Sequence, residues 1–298
     1  PEREISLISG EKCAESLRVL GYQVSEIDVT RQLDTQLAAL RPDICFNALH
    51  GVGGEDGEVQ GLLEVLEIPY THSGVRASAL AMDKHLSKQI FAAAGLPVTE
   101  SVLVEQGISA HPMAPPYVVK PVNQGSSVGV EIVSESTNKV PDALSEKGWA
   151  FDGVAMVEKY IAGHELTCGV MGDTALDVME IVPANGWYDY RAKYDDGGSR
   201  HECPADIDAA LAARIQEASL QAHMLLGCRG VTRAALLDAF VLRSHVRVLA
   251  LQAAIDTLAV SGARNAVRNY LRPAERAANG GGPVRHKRPR RGCYRRSP

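Results

Sequence analysis

The residues able to do chemistry are concentrated in a few short stretches. In YVVKPVNQGSSVGV, Tyr117 to Val130, a strand pattern presents Lys120 and runs into a small, flexible loop holding Gly125, Ser126, Ser127 and Gly129. Backbone N–H groups and hydroxyls in such a loop can fold over phosphate oxygens while a lysine neutralises them. It is not a P-loop, because no G-x-x-x-x-G-K-[ST] is present, and many ordinary hairpins are rich in Gly and Ser. NALHGVGGEDG, Asn47 to Gly57, follows a run that reads as a parallel strand. Ligands bind at the carboxyl ends of such strands. Its glycines allow a sharp turn and close approach, and His50, Glu55 and Asp56 add polar groups. An ordinary polar loop with a solvated acidic pair would read the same way.

Three further stretches belong to this set. In VEKYIAGHELTCGV, Val157 to Val170, Glu158 ends a strand just before Tyr160 and Ile161. That order suits an adenine pocket with an apolar slot, a backbone hinge and Glu165 for ribose hydroxyls, although a charged hairpin rim is the commoner fate. YDYRAKY, Tyr188 to Tyr194, has the Tyr, Lys and Arg density of an active-site lid. GCRGVTR, Gly227 to Arg233, is a helix end leading into a strand that points an arginine inward.

The elements that must hold these residues follow from periodicity. Helices are predicted over residues 4–20, Leu33–Leu40, Val59–Leu66, Ala77–Ala94, Asp142–Lys147 and Ile207–Leu226. Strand-like runs are Tyr22–Val29, Ile44–Leu49 and Pro69–Thr71. They are followed by Ser101–Val104, Tyr117–Pro121, Val128–Val133, Val154–Ile161, Leu166–Met171 and Leu176–Val182. The early alternation of strand and helix implies an α/β layer with a parallel sheet, and the later strands imply an antiparallel sheet with few helices. An opening helix with no strand before it suggests that the sheet's first strand is missing.

Composition sets the outer limits. A chain of 298 residues with 45% hydrophobic and 22% charged side chains has the balance of an ordinary globular protein of two or three packed units. No run approaches the roughly 18 apolar residues of a membrane span, and no secretory leader is visible. The six cysteines include no C-x-x-C pair and fit free thiols in a reducing cytosol better than disulfides or a zinc site. The net charge of −5 conceals a division. Residues 234–298 hold thirteen Lys and Arg against three acids, a balance of +10, which leaves −15 for the residues before them. Such a jump marks a domain boundary, a disordered tail or a join between unrelated segments. The Gly-Gly-Gly-Pro and HKRPRRGCYRR run cannot bury a core, so disorder is expected there.

Taken in order, ALHG-x-x-GEDG, THSG, AMDK, VVKP-x-x-x-GSSVGV, E-K-x-x-x-G-x-E, YDY-x-AKY and GCRG-x-x-R resemble the D-alanine–D-alanine ligase family of the ATP-grasp superfamily. The resemblance spans Glu2 to Arg233, nearly four-fifths of the chain. It implies an ATP-grasp α/β fold: an N-terminal parallel-sheet substrate domain over 1–76, a central domain over 77–162 and a C-terminal domain over 163–233. It also implies a soluble cytoplasmic enzyme of peptidoglycan precursor synthesis, usually a homodimer, that uses ATP and two Mg²⁺ ions to join two D-alanines. One D-alanine carboxylate attacks the γ-phosphate, and the amine of the second displaces phosphate from the acyl phosphate.

By the same resemblance Lys84 and Lys120 hold ATP phosphates, and the Gln124–Val128 loop, with Gly125 and Ser127, covers them. Glu158, Lys159, Tyr160, Ile161 and Glu165 take the adenosine, and Lys193 reaches the γ-phosphate. Glu2 anchors the first substrate's ammonium, with His50 and Glu55 beside that substrate. Ser126 and Tyr194 link loop to lid over the second substrate, and Arg233 stabilises the tetrahedral oxyanion.

Two departures stand out. The family's first strand and Gly-Gly turn should precede Glu2 and do not. After Arg233 the family continues with an aspartate, then a strand carrying an E-x-N triplet, whose side chains bind Mg²⁺. Here AALLDAFVLRSHVRVLALQAA offers no E-x-N, and Asp238 is out of register. A shifted reading frame or foreign tail is expected from about Ala234 on, with no metal ligands and little or no turnover. The competing readings are a ligase using D-lactate or D-serine as acceptor, a nucleotide-binding remnant without catalysis, and non-specific nucleic-acid binding through the basic tail.

Overall fold

A computed structural model of the chain describes residues 2–125, 128–146, 151–183, 198–239 and 246–253. Helix α1 (Arg3–Val19) leads into the extended segment 22–30, then α2 (Leu33–Leu40) and α3 (Glu58–Val65). The expected strand Tyr22–Val29 carries no ladder. Its apolar side chains still find the core: Tyr22 and Val24 pack with Leu17, Ile44 and Phe46, and Ile27 joins Leu33, Leu37 and Leu63. Among the described residues parallel pairing shrinks to one bridge, Cys45 with Tyr70, where the Cys45 N–H reaches Pro69 O at 2.8 Å and the Thr71 N–H reaches Cys45 O at 3.0 Å.

The helix predicted over Ala77–Ala94 is two helices, α4 (Val75–Met82) and α5 (Lys84–Ala93). Asp83 sits between them in extended backbone, and its carboxylate accepts the Leu86 N–H at 2.8 Å. Apolar periodicity continues through this point, but an aspartate that can cap a new helix favours the break. The break makes Lys84 the first residue of α5.

Two antiparallel sheets follow. The four-stranded sheet runs β1-β4-β2-β3 in order across it, from β1 (Ser101–Glu105), β2 (Tyr117–Pro121), β3 (Glu131–Val133) and β4 (Val154–Lys159). The short helix α6 (Asp142–Ser145) contributes Leu144 to its core with Tyr117, Val119, Val133 and Val157. The five-stranded sheet runs β7-β6-β5-β8-β9, from β5 (Gly163–Met171), β6 (Thr174–Pro183), β7 (Ser199–Glu202), β8 (Val231–Ala239) and β9 (Val246–Ala253). Helix α7 (Ala209–Leu226) is capped by Asp208 at its start and Gly227 at its end, and covers one face of this sheet. Ile215, Ala222 and Leu226 meet Leu166, Cys168, Ala234, Leu236 and Phe91 of α5 there. Each large side chain so buried contributes about 2 kcal/mol.

The boundary expected at Arg233 falls inside β8. That strand pairs with β5 from Val231 opposite Met171 through to Ala239 opposite Gly163, and β9 pairs with its far side. Tyr160 to Ala162 form the short connection from the first sheet to the second.

Candidate active site

The first-substrate loop after Phe46 is held by its own side chains. Asn47 donates to Gly54 O at 3.0 Å, and Gln60 donates to the same oxygen at 2.7 Å. Glu55 is buried, and its Oε2 accepts the Gly51 N–H at 2.7 Å, so this carboxylate shapes the loop. The buried His50 ring shares a hydrogen bond of 2.9 Å with Ser9 Oγ, and the His50 backbone N–H donates to Ser6 Oγ at 3.0 Å, which fastens the loop to α1. Glu2, at the start of that helix, is 3% exposed, and its carboxylate lies against Gly51. A methyl group on Gly125 would be 3.6 Å from Glu2 Oε1. The loop that leaves β2 therefore meets the loop that leaves the N-terminal unit.

Lys84 binds that second loop directly. Its amine donates to Val122 O at 3.3 Å and to Gln124 O, and its backbone N–H also reaches Val122 O, at 3.2 Å. Val128 closes the loop through its N–H to Gly125 O at 3.1 Å. Ser126, Ser127, Lys193 and Tyr194 lie outside the described residues.

Glu158, on β4, is 2% exposed and is held by two lysines. Lys88 of α5 donates to Oε1 at 2.5 Å, and Lys120 of β2 contacts Oε2. Burial alone pushes this carboxyl up, but Lys120 and Lys88 together outweigh it and leave it below the ordinary value. Buried ion clusters are poor stabilisers compared with apolar packing, whereas perturbed ionisable groups gather at functional sites. Sequence reading missed Lys88. Its one signal was the four-residue spacing from Lys84, which puts both amines on one side of a helix.

At the end of β4 Lys159 is exposed, while Tyr160 and Ile161 are half-buried in the connection between the sheets. The Tyr160 N–H donates to Pro116 O at 3.2 Å. Glu165, Thr167 and Arg233 share the face of the second sheet that turns away from α7, since Leu166, Cys168 and Ala234 are the residues packed on it. Arg233 donates to Thr167 Oγ1 at 3.1 Å. The two units are joined beside this face, where Arg229 donates to His72 O at 2.9 Å and lies 4.8 Å from the centre of the Tyr70 ring.

Register identifies the other positions on the Arg233 face. Gln252 lies opposite Arg233, and Ala250 opposite Ala235. Glu165 is the carboxylate already placed on this face, Ala235, Ala250 and Gln252 carry none, and among the described residues no group of three or more His, Cys, Asp or Glu is arranged to hold a metal ion. Magnesium prefers carboxylate and phosphate oxygens, which Ala235, Ala250 and Gln252 do not carry. No disulfide joins the described cysteines, and among the described residues no helix is long and apolar enough to cross a membrane.

Comparison with known proteins gives a consistent result. A family model described as D-ala D-ala ligase N-terminus matches residues 29–73, and one described as D-ala D-ala ligase C-terminus matches residues 90–249. The D-alanine–D-alanine ligase of Parvibaculum lavamentivorans is 57% identical over 235 residues, 78% of this chain and 76% of the relative. That of Sinorhizobium fredii is 54% identical over 78% of this chain and 77% of its own length. Among solved structures, the D-alanine–D-alanine ligase of Bacillus anthracis complexed with ATP superposes with a TM-score of 0.75 at 27% identity, covering 94% of this chain and 95% of that one. The VanG D-Ala:D-Ser ligase of Enterococcus faecalis gives 0.59 at 31% identity, covering 71% of this chain and 63% of that one.

Proposed function

This chain belongs to the D-alanine–D-alanine ligase family, and on that premise we propose that its cleft binds ATP and is built to join two D-alanines through an acyl phosphate. The observation that carries the reading is the meeting of Glu2 with Gly51 and Gly125. It brings a carboxylate able to hold an amino acid's ammonium beside the loop that would cover ATP phosphates. A phosphoryl acceptor and donor so placed have most of what phosphoryl transfer requires, which is positioning and neutralised charge.

In this reading Lys84 and Lys120 neutralise phosphate oxygens, with Gln124, Gly125, Ser127 and Val128 closing over them. Glu158, Lys159, Tyr160 and Ile161 take the adenine at the connection between the sheets, and Glu165 the ribose. Glu2 and His50 orient the first D-alanine, and Glu55 keeps their loop in shape. Arg233, steadied by Thr167, faces the oxyanion that forms when the second amine attacks. Ser126, Tyr194 and Lys193 would complete the lid. Mg²⁺ would neutralise charge on the phosphates, and in this reading Ala235, Ala250 and Gln252 offer it no carboxylate.

That mismatch favours a second reading, nucleotide binding with little or no turnover. Phosphate release with ATP, Mg²⁺ and D-alanine, run beside an ATP titration on the same sample, separates the two. D-alanine-dependent release supports the ligase, and binding without release supports the second reading. Absence of ATP binding overturns both. Replacing D-alanine by D-lactate or D-serine in the second-substrate role tests the acceptor, and light scattering tests assembly as a homodimer.

A further inference from the structure

We infer that Lys88 is a positioning residue of the nucleotide site, which keeps Glu158 ionised and in place when incoming phosphates draw Lys120 away from it. The inference rests on the nucleotide-binding reading of this cleft.

Each oxygen of Glu158 has its own lysine, Lys88 on Oε1 and Lys120 on Oε2. The two amines are not equivalent. Lys120 stands on β2, the strand that runs into the Gln124–Gly125 loop, and its side chain is 12% exposed. Lys88 is 4% exposed and lies on α5, a strand-facing helix whose next turn back places Lys84 on that same loop. Among the described residues Lys88 and Lys120 are the charges that act on Glu158, and β1 sets only the neutral Ser101 opposite it.

Glu158 thus holds two cations at once, one on each oxygen. An incoming anionic ligand competes with Glu158 for the more exposed of the two, Lys120. When Lys120 turns to phosphate, Lys88 and Glu158 remain as a neutral pair. Without Lys88 the same movement would leave a carboxylate alone in a dry site, where it takes up a proton instead of staying charged. Lys120 is then the mobile cation and Lys88 the resident one.

The test is an ATP titration by calorimetry of the full chain, Lys88→Met and Lys88→Arg, at about pH 6.5 and about pH 8.5. ATP's own terminal phosphate titrates in this range, so each slope is compared with that of the parent. Lys88→Met is expected to weaken ATP binding on the order of 100-fold at the higher pH, the effect of leaving a buried charge unpaired. Part of the loss returns at lower pH, by up to about tenfold per pH unit, with extra proton uptake on binding. Lys88→Arg should stay within about threefold of the parent at both pH values, because it keeps the charge. A folded Lys88→Met that binds ATP like the parent, or loses affinity with the parent's pH slope, overturns the inference. If Lys88→Met does not fold, Lys88→Met with Glu158→Gln takes its place. With no anion left to hold, it is expected to fold and keep the parent's slope, and an altered slope counts against the inference. A parent that does not bind ATP fails at the first titration and removes the nucleotide reading itself.

Discussion

The carboxylate of Glu2 occupies the space that a side chain on residue 51 would need. Gly51 has φ of +73°, and a methyl group there would lie 2.7 Å from Glu2 Cδ and closer still to Oε2. Gly51→Ala therefore carries two penalties, a left-handed backbone and a displaced acid. It is expected to lower stability by about 1–3 kcal/mol in urea unfolding. It should also weaken D-alanine binding while leaving ATP binding within about threefold, because the lysine cluster is untouched. Equal loss of both ligands would contradict the placement of Glu2 at the amino-acid end of the cleft.

Asp83 does more than separate two helices. Its cap on the Leu86 N–H fixes where α5 begins, and with it the position of the Lys84 amine on Val122 O and Gln124 O. Asp83→Ala is expected to cost about 1 kcal/mol, read from urea unfolding. ATP affinity should fall as well. Asp83→Asn, which keeps an acceptor, should recover most of both.

Acid should destabilise the fold through His72. Burial pushes this ring down to about 4, against a weaker upward pull from the Asn47 backbone, while the unfolded chain titrates near the ordinary 6.5. Between those values the unfolded chain binds a proton that the folded chain refuses. Stability is therefore complete above about pH 6.5 and declines toward about pH 4, by on the order of 3 kcal/mol. His223, also lowered by burial, acts in the same direction. Melting curves stepped through this window should show a shallower acid limb for His72→Gln than for the parent. Parallel limbs would remove His72 as the source.

If the metal site fails for want of ligands, supplying them in register should restore it. Ala235→Asp, Ala250→Glu and Gln252→Asn together put two carboxylates and an amide on the Arg233 face. The triple variant is expected to bind Mn²⁺ in the presence of ATP at least about tenfold more tightly than the parent. It should also gain Mg²⁺-dependent phosphate release with D-alanine. Unchanged Mn²⁺ affinity in a folded triple variant would place the defect elsewhere.

Much of this arrangement could be read from the chain. Tyr117–Pro121 was legible as a strand and buries one face; the strand expected over Val154–Ile161 ends at Lys159 and is buried on both faces, and α7 was legible over Ile207–Leu226 from its long Ala/Leu run. Tyr22–Val29 had the right side chains for a strand, but a ladder needs a neighbour, which no local pattern reports. Asp83 was hidden within a helical period that continues across it. Lys88 looked like any surface lysine of an amphipathic helix, since its partner lies seventy positions away. Glu55 was legible as a polar group of the first loop, but not the amide to which its oxygen turns.

The strand that continues through Arg233 shows how little a sheet asks of its tenants. Its ladder is made of amides and carbonyls, which every residue but proline provides, and its inner face requires only small or apolar groups such as Ala234 and Leu236. Such a strand is accepted as architecture whatever polar groups its other face carries. Pairing and chemistry make separate demands on β8, so a melting curve that looks native reports the first and says nothing of the second.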